Sequence, residues 1–206
     1  QDTPYAPAGY ELGCYQFRLE SGNSAWDSGD FAKPAEKSMH APLNIEDTEH
    51  ILRISGSIAE FTVEFDKDTG LIRTYMKKGK EYLAQGPVEC LTRPRTGIDA
   101  QEGWGRYVVW KIFNTENTSA SLRHFSAQAI GCEKALVETI REVGVTQTPY
   151  SILINSRYII EQNGDIQVHH LFRMDPSLKD LPRVGMEIVI PEGFENLEYY
   201  GYGPTE

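Results

Sequence analysis

Side chains in this chain alternate at period two. Phe61, Val63 and Phe65 are separated by Thr62 and Glu64, and Asp66-Lys67-Asp68-Thr69-Gly70 then turns the chain into Leu71–Tyr75. Successive side chains of a strand point to opposite faces, so alternation on both sides of a glycine-bearing turn predicts a hairpin. The turn is expected to span about five residues, with Gly70 supplying a positive φ. A second hairpin is predicted from Arg157–Gln162 and Asp165–His169 on either side of Asn163-Gly164. Asn-Gly favours a type I′ turn, whose two central residues both need φ > 0. Lys77-Lys78-Gly79-Lys80 is a further turn, Gly185–Ile190 a strand, and Leu197–Tyr200 a short strand. Such a chain is constrained to an all-β, antiparallel fold.

One stretch conflicts. Leu136, Ile140 and Val143 share a helical face, yet the segment from Cys132 to Val143 also splits into two strand faces. One strand face carries Leu136, Glu138, Ile140 and Glu142, the other Val137, Thr139, Arg141 and Val143, and neither is cleanly apolar. Periodicity alone does not decide so short a run. Its neighbours read as strands, so it is read as a strand.

Composition narrows the function classes. The chain has 206 residues and a formal net charge of −10, which leaves no basic surface for phosphate backbones or anionic lipid. No apolar run approaches the roughly 18 residues of a membrane span. Gln1-Asp2-Thr3-Pro4 has neither the basic nor the apolar region of a signal peptide, and a processed or excised piece is expected. Three cysteines, Cys14, Cys90 and Cys132, are too few and too scattered for a disulfide scaffold or a zinc site. Reduced thiols and a cytoplasmic location are expected. The sequon at Asn117 carries little weight.

Organisation shifts along the chain. Ala8–Leu19 reads as one strand, and Glu20–Asn44 is polar, rich in Ser, Gly, Pro and Ala, and aperiodic. A stretch like that usually links domains. Residues 1–19 are therefore expected to close a preceding domain, 20–44 to be a linker, and 45–206 to form the compact β domain.

Motifs for chemistry are sparse. No nucleophile elbow, phosphate-binding glycine loop or His-Glu-x-x-His is present. Adjacent His169 and His170 would point to opposite faces of a strand and so do not suit one metal ion; one packed and one exposed is expected. Leu91–Gly105 stands out as a non-periodic loop holding Arg93, Arg95, Asp99, Glu102 and Trp104. Polar groups beside an aromatic ring suit sugar, whose hydroxyls take hydrogen bonds and whose C–H face packs on the ring. A loop packed on its own sheet with Trp104 as a plug is the alternative.

Several segments together resemble a family. Tyr200-Gly201-Tyr202-Gly203-Pro204-Thr205-Glu206 resembles a motif of the large LacZ-type bacterial β-galactosidases of glycoside hydrolase family 2. Leu181–Met186 is similar to the segment upstream of it. Gln1–Leu19 resembles the closing strand of the family's immunoglobulin-like domain, and Thr92–Gly105, through Arg93 and Asp99, a polar loop. The four segments occur in family order and spacing.

The resemblance implies the C-terminal, small-chain β-sandwich domain of such an enzyme. It implies the antiparallel supersandwich shared with galactose mutarotase, cut at both ends. The parent would hydrolyse terminal β-D-galactosides with retention, both carboxylates coming from a catalytic barrel elsewhere in the parent. This chain would supply a pocket wall through Arg93, Asp99, Glu102 and Trp104 and be inactive alone. Mg and Na ions, common in the family, would lie in other domains. The implied partners are the β-galactoside, the barrel and further copies of the chain. The rivals are a non-catalytic carbohydrate-binding module, a purely structural domain and a free-standing epimerase of the mutarotase type.

Overall fold

A computed structural model of the chain describes residues 41–94, 96–97, 118–145, 150–176, 178 and 181–196. The expected closing strand, most of the expected linker and the Leu197–Tyr200 strand lie outside these residues. The chain divides into two units, Met39–Phe194 and a second formed by Gln1–Ser38 with Glu195–Glu206. Every strand described below belongs to the first.

Among the described residues the fold is all-β and antiparallel. β1 (Asn44–Asp47), β2 (Ile51–Gly56), β3 (Phe61–Asp66), β4 (Leu71–Lys77) and β5 (Lys80–Leu83) form a five-stranded sheet in chain order. β6 (Gln85–Cys90) leaves it and pairs with β11 (Gly185–Val189). β7 (Thr118–Ile130), β8 (Lys134–Val145), β9 (Ser151–Glu161) and β10 (Ile166–Met174) form a four-stranded sheet, also in chain order. Both large sheets are meanders, and the short turns after β3, β4, β7 and β9 each carry a left-handed glycine, Gly70, Gly79, Gly131 and Gly164.

The two large sheets share a core. Leu52, Ile54, Phe61, Val63, Phe65 and Ile72 from the first pack with Ala135, Val137, Tyr158 and Ile160 from the second. The aromatic centre is edge-to-face, with Phe65 and Tyr158 centroids 5.1 Å apart at 70°. Burying a Val or Phe side chain completely stabilises by about 1.5–3 kcal/mol, and alternation delivers Phe61, Val63 and Phe65 to this face together. A second cluster joins Leu91, Val143, Ile152, Ile154 and Leu178.

The ambiguous stretch is strand β8. Its inner face carries Ala135, Val137, Thr139, Arg141 and Val143, all buried, and the register against β9 is unbroken from Lys134↔Glu161 to Gly144↔Ser151. The periodicity is blurred because two polar residues sit on the core face.

The turns differ in type from expectation. Type I′ geometry does not occur at Asn163-Gly164, where only Gly164 is left-handed, at φ 85°. Ile160 pairs with Ile166, so three residues, Gln162–Gly164, make the loop. Gly164 N–H donates to Glu161 O at 2.9 Å, and Asp165 N–H to Asn163 Oδ1 at 2.9 Å. A two-residue loop would slip the register by one and set Ile160 against Gln167, placing the apolar face of β9 opposite the polar face of β10. Paired left-handed residues occur instead at Lys78 and Gly79, with φ 52° and 73°. Gly70 is left-handed as expected, at φ 73°, at the end of a four-residue loop.

Candidate functional site

β6 delivers the loop that the sequence singles out. Leu91 is buried in the second apolar cluster, Thr92 and Arg93 are half-buried, and Pro94 is exposed. Arg93 Nη1 donates to the Pro94 carbonyl at 3.2 Å. Asp99, Glu102 and Trp104 lie outside the described residues, so of the four expected site residues Arg93 alone is placed.

The structure brings a second sequence-marked segment to the base of this loop. Gly185 and Met186 pair with Cys90 and Glu89. Leu181 packs on the Leu91 cluster, and Arg183 Nη1 donates to Cys90 Sγ at 3.7 Å. The Cys90 thiol donates to the Thr92 carbonyl at 3.4 Å. Leu181–Met186 and Cys90–Pro94 therefore make one corner of the molecule. Arg93 gives this corner a planar cationic donor suited to hydroxyls and carboxylates.

A polar band crosses the core face of the four-stranded sheet, between the two apolar clusters. Thr139 and Ser156 face each other across β8 and β9, and Ser156 Oγ lies 2.8 Å from His170 Nδ1. Arg141 Nη1 donates to Glu89 Oε2 in an ion pair whose side chains are 7% and 6% exposed. Burial raises the Tyr158 phenol, opposed by the Ser156 hydrogen bond and Arg141. Burial, then neighbouring His169, holds the His170 imidazole below its ordinary pKa, so it favours the neutral form. His169 points outward and is exposed, as strand geometry predicts. Sequence reading missed the Glu89–Arg141 pair; its one signal was a charge on the β8 face that also holds Val137 and Val143.

An open cleft of about 480 Å³ lies elsewhere in the same unit, lined by Ile72, Tyr75, Tyr82, Asp165, Ile188 and Ile190 among others. Tyr75 OH donates to the Gly164 carbonyl at 2.6 Å. Burial, with Asp165 and Tyr82 nearby, raises the Tyr75 phenol. Lys80 Nζ sits 3.9 Å from the Phe194 ring centroid, and that ring packs on Tyr82 at 5.4 Å. Retaining glycoside hydrolysis needs two carboxylates about 5–5.5 Å apart; among the described residues Asp165 is the one carboxylate lining this cleft. Among the described residues no three His, Cys, Asp or Glu side chains are placed to hold a metal ion. No helix there is long and apolar enough to cross a membrane.

The fold and the Arg93 corner define an antiparallel β-sandwich domain with a polar loop leaving its smallest sheet. The chain belongs to the β-galactosidase small-chain family, whose sequence model matches residues 57–206. It is 26% identical over 212 residues to a β-galactosidase of Psychromonas ingrahamii, covering 100% of this chain and 20% of that protein. A β-galactosidase of Priestia megaterium is 26% identical over 210 residues, covering 100% of this chain and 18% of its own length. One from Streptococcus thermophilus is 23% identical over 207 residues, covering 99% and 18%. The chain thus spans about one fifth of the curated relatives it matches.

Proposed function

We propose that this chain works as the C-terminal supersandwich domain of a β-galactosidase of glycoside hydrolase family 2, acting on terminal β-D-galactosides. In this reading it forms part of the pocket wall through the Arg93–Gly105 loop. The acid/base and nucleophile carboxylates come from a barrel outside these 206 residues. The observation that carries the reading is the corner: Cys90–Pro94 and Leu181–Met186, far apart in sequence, meet in space within the span matched by the small-chain family. Free thiols at Cys90 and Cys132 fit a cytoplasmic enzyme.

Two measurements test it. The purified chain is expected not to turn over a chromogenic β-galactoside; turnover abolished by mutating one of its own carboxylates would overturn the reading. In a complete β-galactosidase carrying this chain, Arg93→Ala is expected to raise KM several-fold with a smaller effect on kcat, the signature of lost binding common to ground and transition states. The Tyr82 ring and Asp165 in the cleft favour a second reading, a non-catalytic carbohydrate-binding module. Galactose binding by the chain alone, lost in Tyr82→Ala, would select it.

A further inference from the structure

The buried Glu89–Arg141 pair is poorly explained as a source of stability. Its side chains are 6% and 7% exposed, and Ala135 and Val137 on one side and Val143 on the other, along the same face of β8, are apolar. Taking two charges out of water costs several kcal/mol per ion, and a well-packed apolar pair of similar volume is often as stable or more so. Arg141 Nε is also buried without a partner among the described residues. The best-attested use of such a pair is to select one register among several.

β6 is a strand that needs its register selected. Among the described residues it pairs with β11 alone, and a two-stranded sheet is marginal by itself. Toward the five-stranded sheet Gly86 lies directly on the Ile72 backbone, which fixes β6 on that side, and just before β6 the Ala84 N–H donates to Val189 O of β11 at 2.8 Å. Toward the four-stranded sheet, β6 and the residue after it make two contacts of different character. Leu91 packs in an apolar cluster, which is non-directional and tolerates sliding. Glu89 meets the Arg141 guanidinium, which is directional. A slip of one residue would turn Glu89 to the opposite face of β6 and leave Arg141 buried and unpaired.

We propose that Glu89 and Arg141 are positioning residues. They lock β6 on the four-stranded sheet, and so set where Arg93, four residues further on, leaves the fold against Leu181–Met186. The use of this lock rests on the pocket-wall reading; its existence does not.

Amide hydrogen exchange on the intact chain tests it, with residues 85–94 compared against β9 as internal control. In the Glu89→Met/Arg141→Met double variant, residues 85–94 are expected to exchange about tenfold faster while β9 is unchanged. Arg141→Lys, which keeps the charge pair, is expected to restore part of the protection. Wild-type protection of 85–94 in the double variant would overturn the proposal, as would equal acceleration in β9. Should that variant not fold, the reversed pair Glu89→Arg/Arg141→Glu decides. Protection near wild type supports the lock, and exchange of residues 85–94 about tenfold faster than wild type overturns it. A KM unchanged by Arg93→Ala in the complete enzyme would remove the pocket-wall reading and leave the lock standing.

Discussion

At the scale of single residues, two positions carry most of the local physics. Gly86 sits so close to β4 that an added Cβ would lie 2.4 Å from the Ile72 carbonyl oxygen and 2.8 Å from its backbone nitrogen. Backbone does not move aside as a side-chain tip does, so Gly86→Ala is expected to cost at least about 1–3 kcal/mol, the usual range for overpacking, read as a lower urea midpoint at unchanged m. His170 is the other. Burial and His169 depress its native pKa, so the unfolded chain takes up the proton first as pH falls. Its contribution is therefore present in full above the ordinary histidine value, about 6.5, and is lost as pH drops below that toward the native value. Unfolding midpoints should fall between about pH 7 and pH 5.5, and His170→Gln should flatten that slope. An unchanged slope in the variant would rule His170 out as its source. Gly86 was not marked in the sequence, because nothing there says what backbone lies under it; the His169–His170 pair was, as one packed and one exposed, and His170 is the one turned inward.

Among elements, the informative contact is between turn and strand. Tyr75 on β4 donates to Gly164 O in the β9–β10 loop, at 2.6 Å, and Lys77 Nζ donates to Asn163 O at 3.0 Å. These two bonds clasp the five-stranded sheet to the four-stranded one at one end. Tyr75→Phe removes one of them and leaves the carbonyl beside a cleft open to water, so it is expected to lower stability by about 0.5–1.5 kcal/mol. Asn163-Gly164 marked the hairpin correctly and misled on its type. The turn-forming preference of the pair is local, whereas the register that makes the loop three residues long follows from matching Ile160 and Tyr158 to Ile166 and Val168. β8 shows the same division from the other side. Its inner Arg141 obscured the pattern in sequence and is accommodated by Glu89, a residue 52 positions away.

At the scale of the whole molecule, three exposed apolar side chains meet along the cleft. Val168 is 42% exposed, Ile188 55% and Ile190 47%. Contiguous exposed apolar surface usually marks an interaction site. The chain is therefore expected to self-associate at micromolar concentration, read as a sedimentation coefficient that rises with concentration, and Ile188→Lys should reduce it. Concentration-independent sedimentation at the monomer value would refute this expectation. The outer face of the four-stranded sheet is different: Arg157 with Glu138, Arg123 with Glu142 and Lys134 with Glu161 pair across its strands. The more exposed of these, Arg157 with Glu138 and Arg123 with Glu142, contribute little stability each and weaken in salt.

The order of side chains along the chain determined the all-β class, most strands and the places where it turns, because period-two alternation and glycine act through the few residues around them. It also marked Arg93 and Leu181–Met186 as segments worth finding. What it left open is settled by groups that meet only after folding. The register of β9 on β10 is chosen by a shared core, the strand state of β8 by its ladders to β7 and β9, and the Arg93 corner by β6 pairing with a strand about a hundred residues later. Burial and pairing energies depend on who the neighbour is, and in a sandwich the neighbour across the core is set by the fold rather than by distance along the chain.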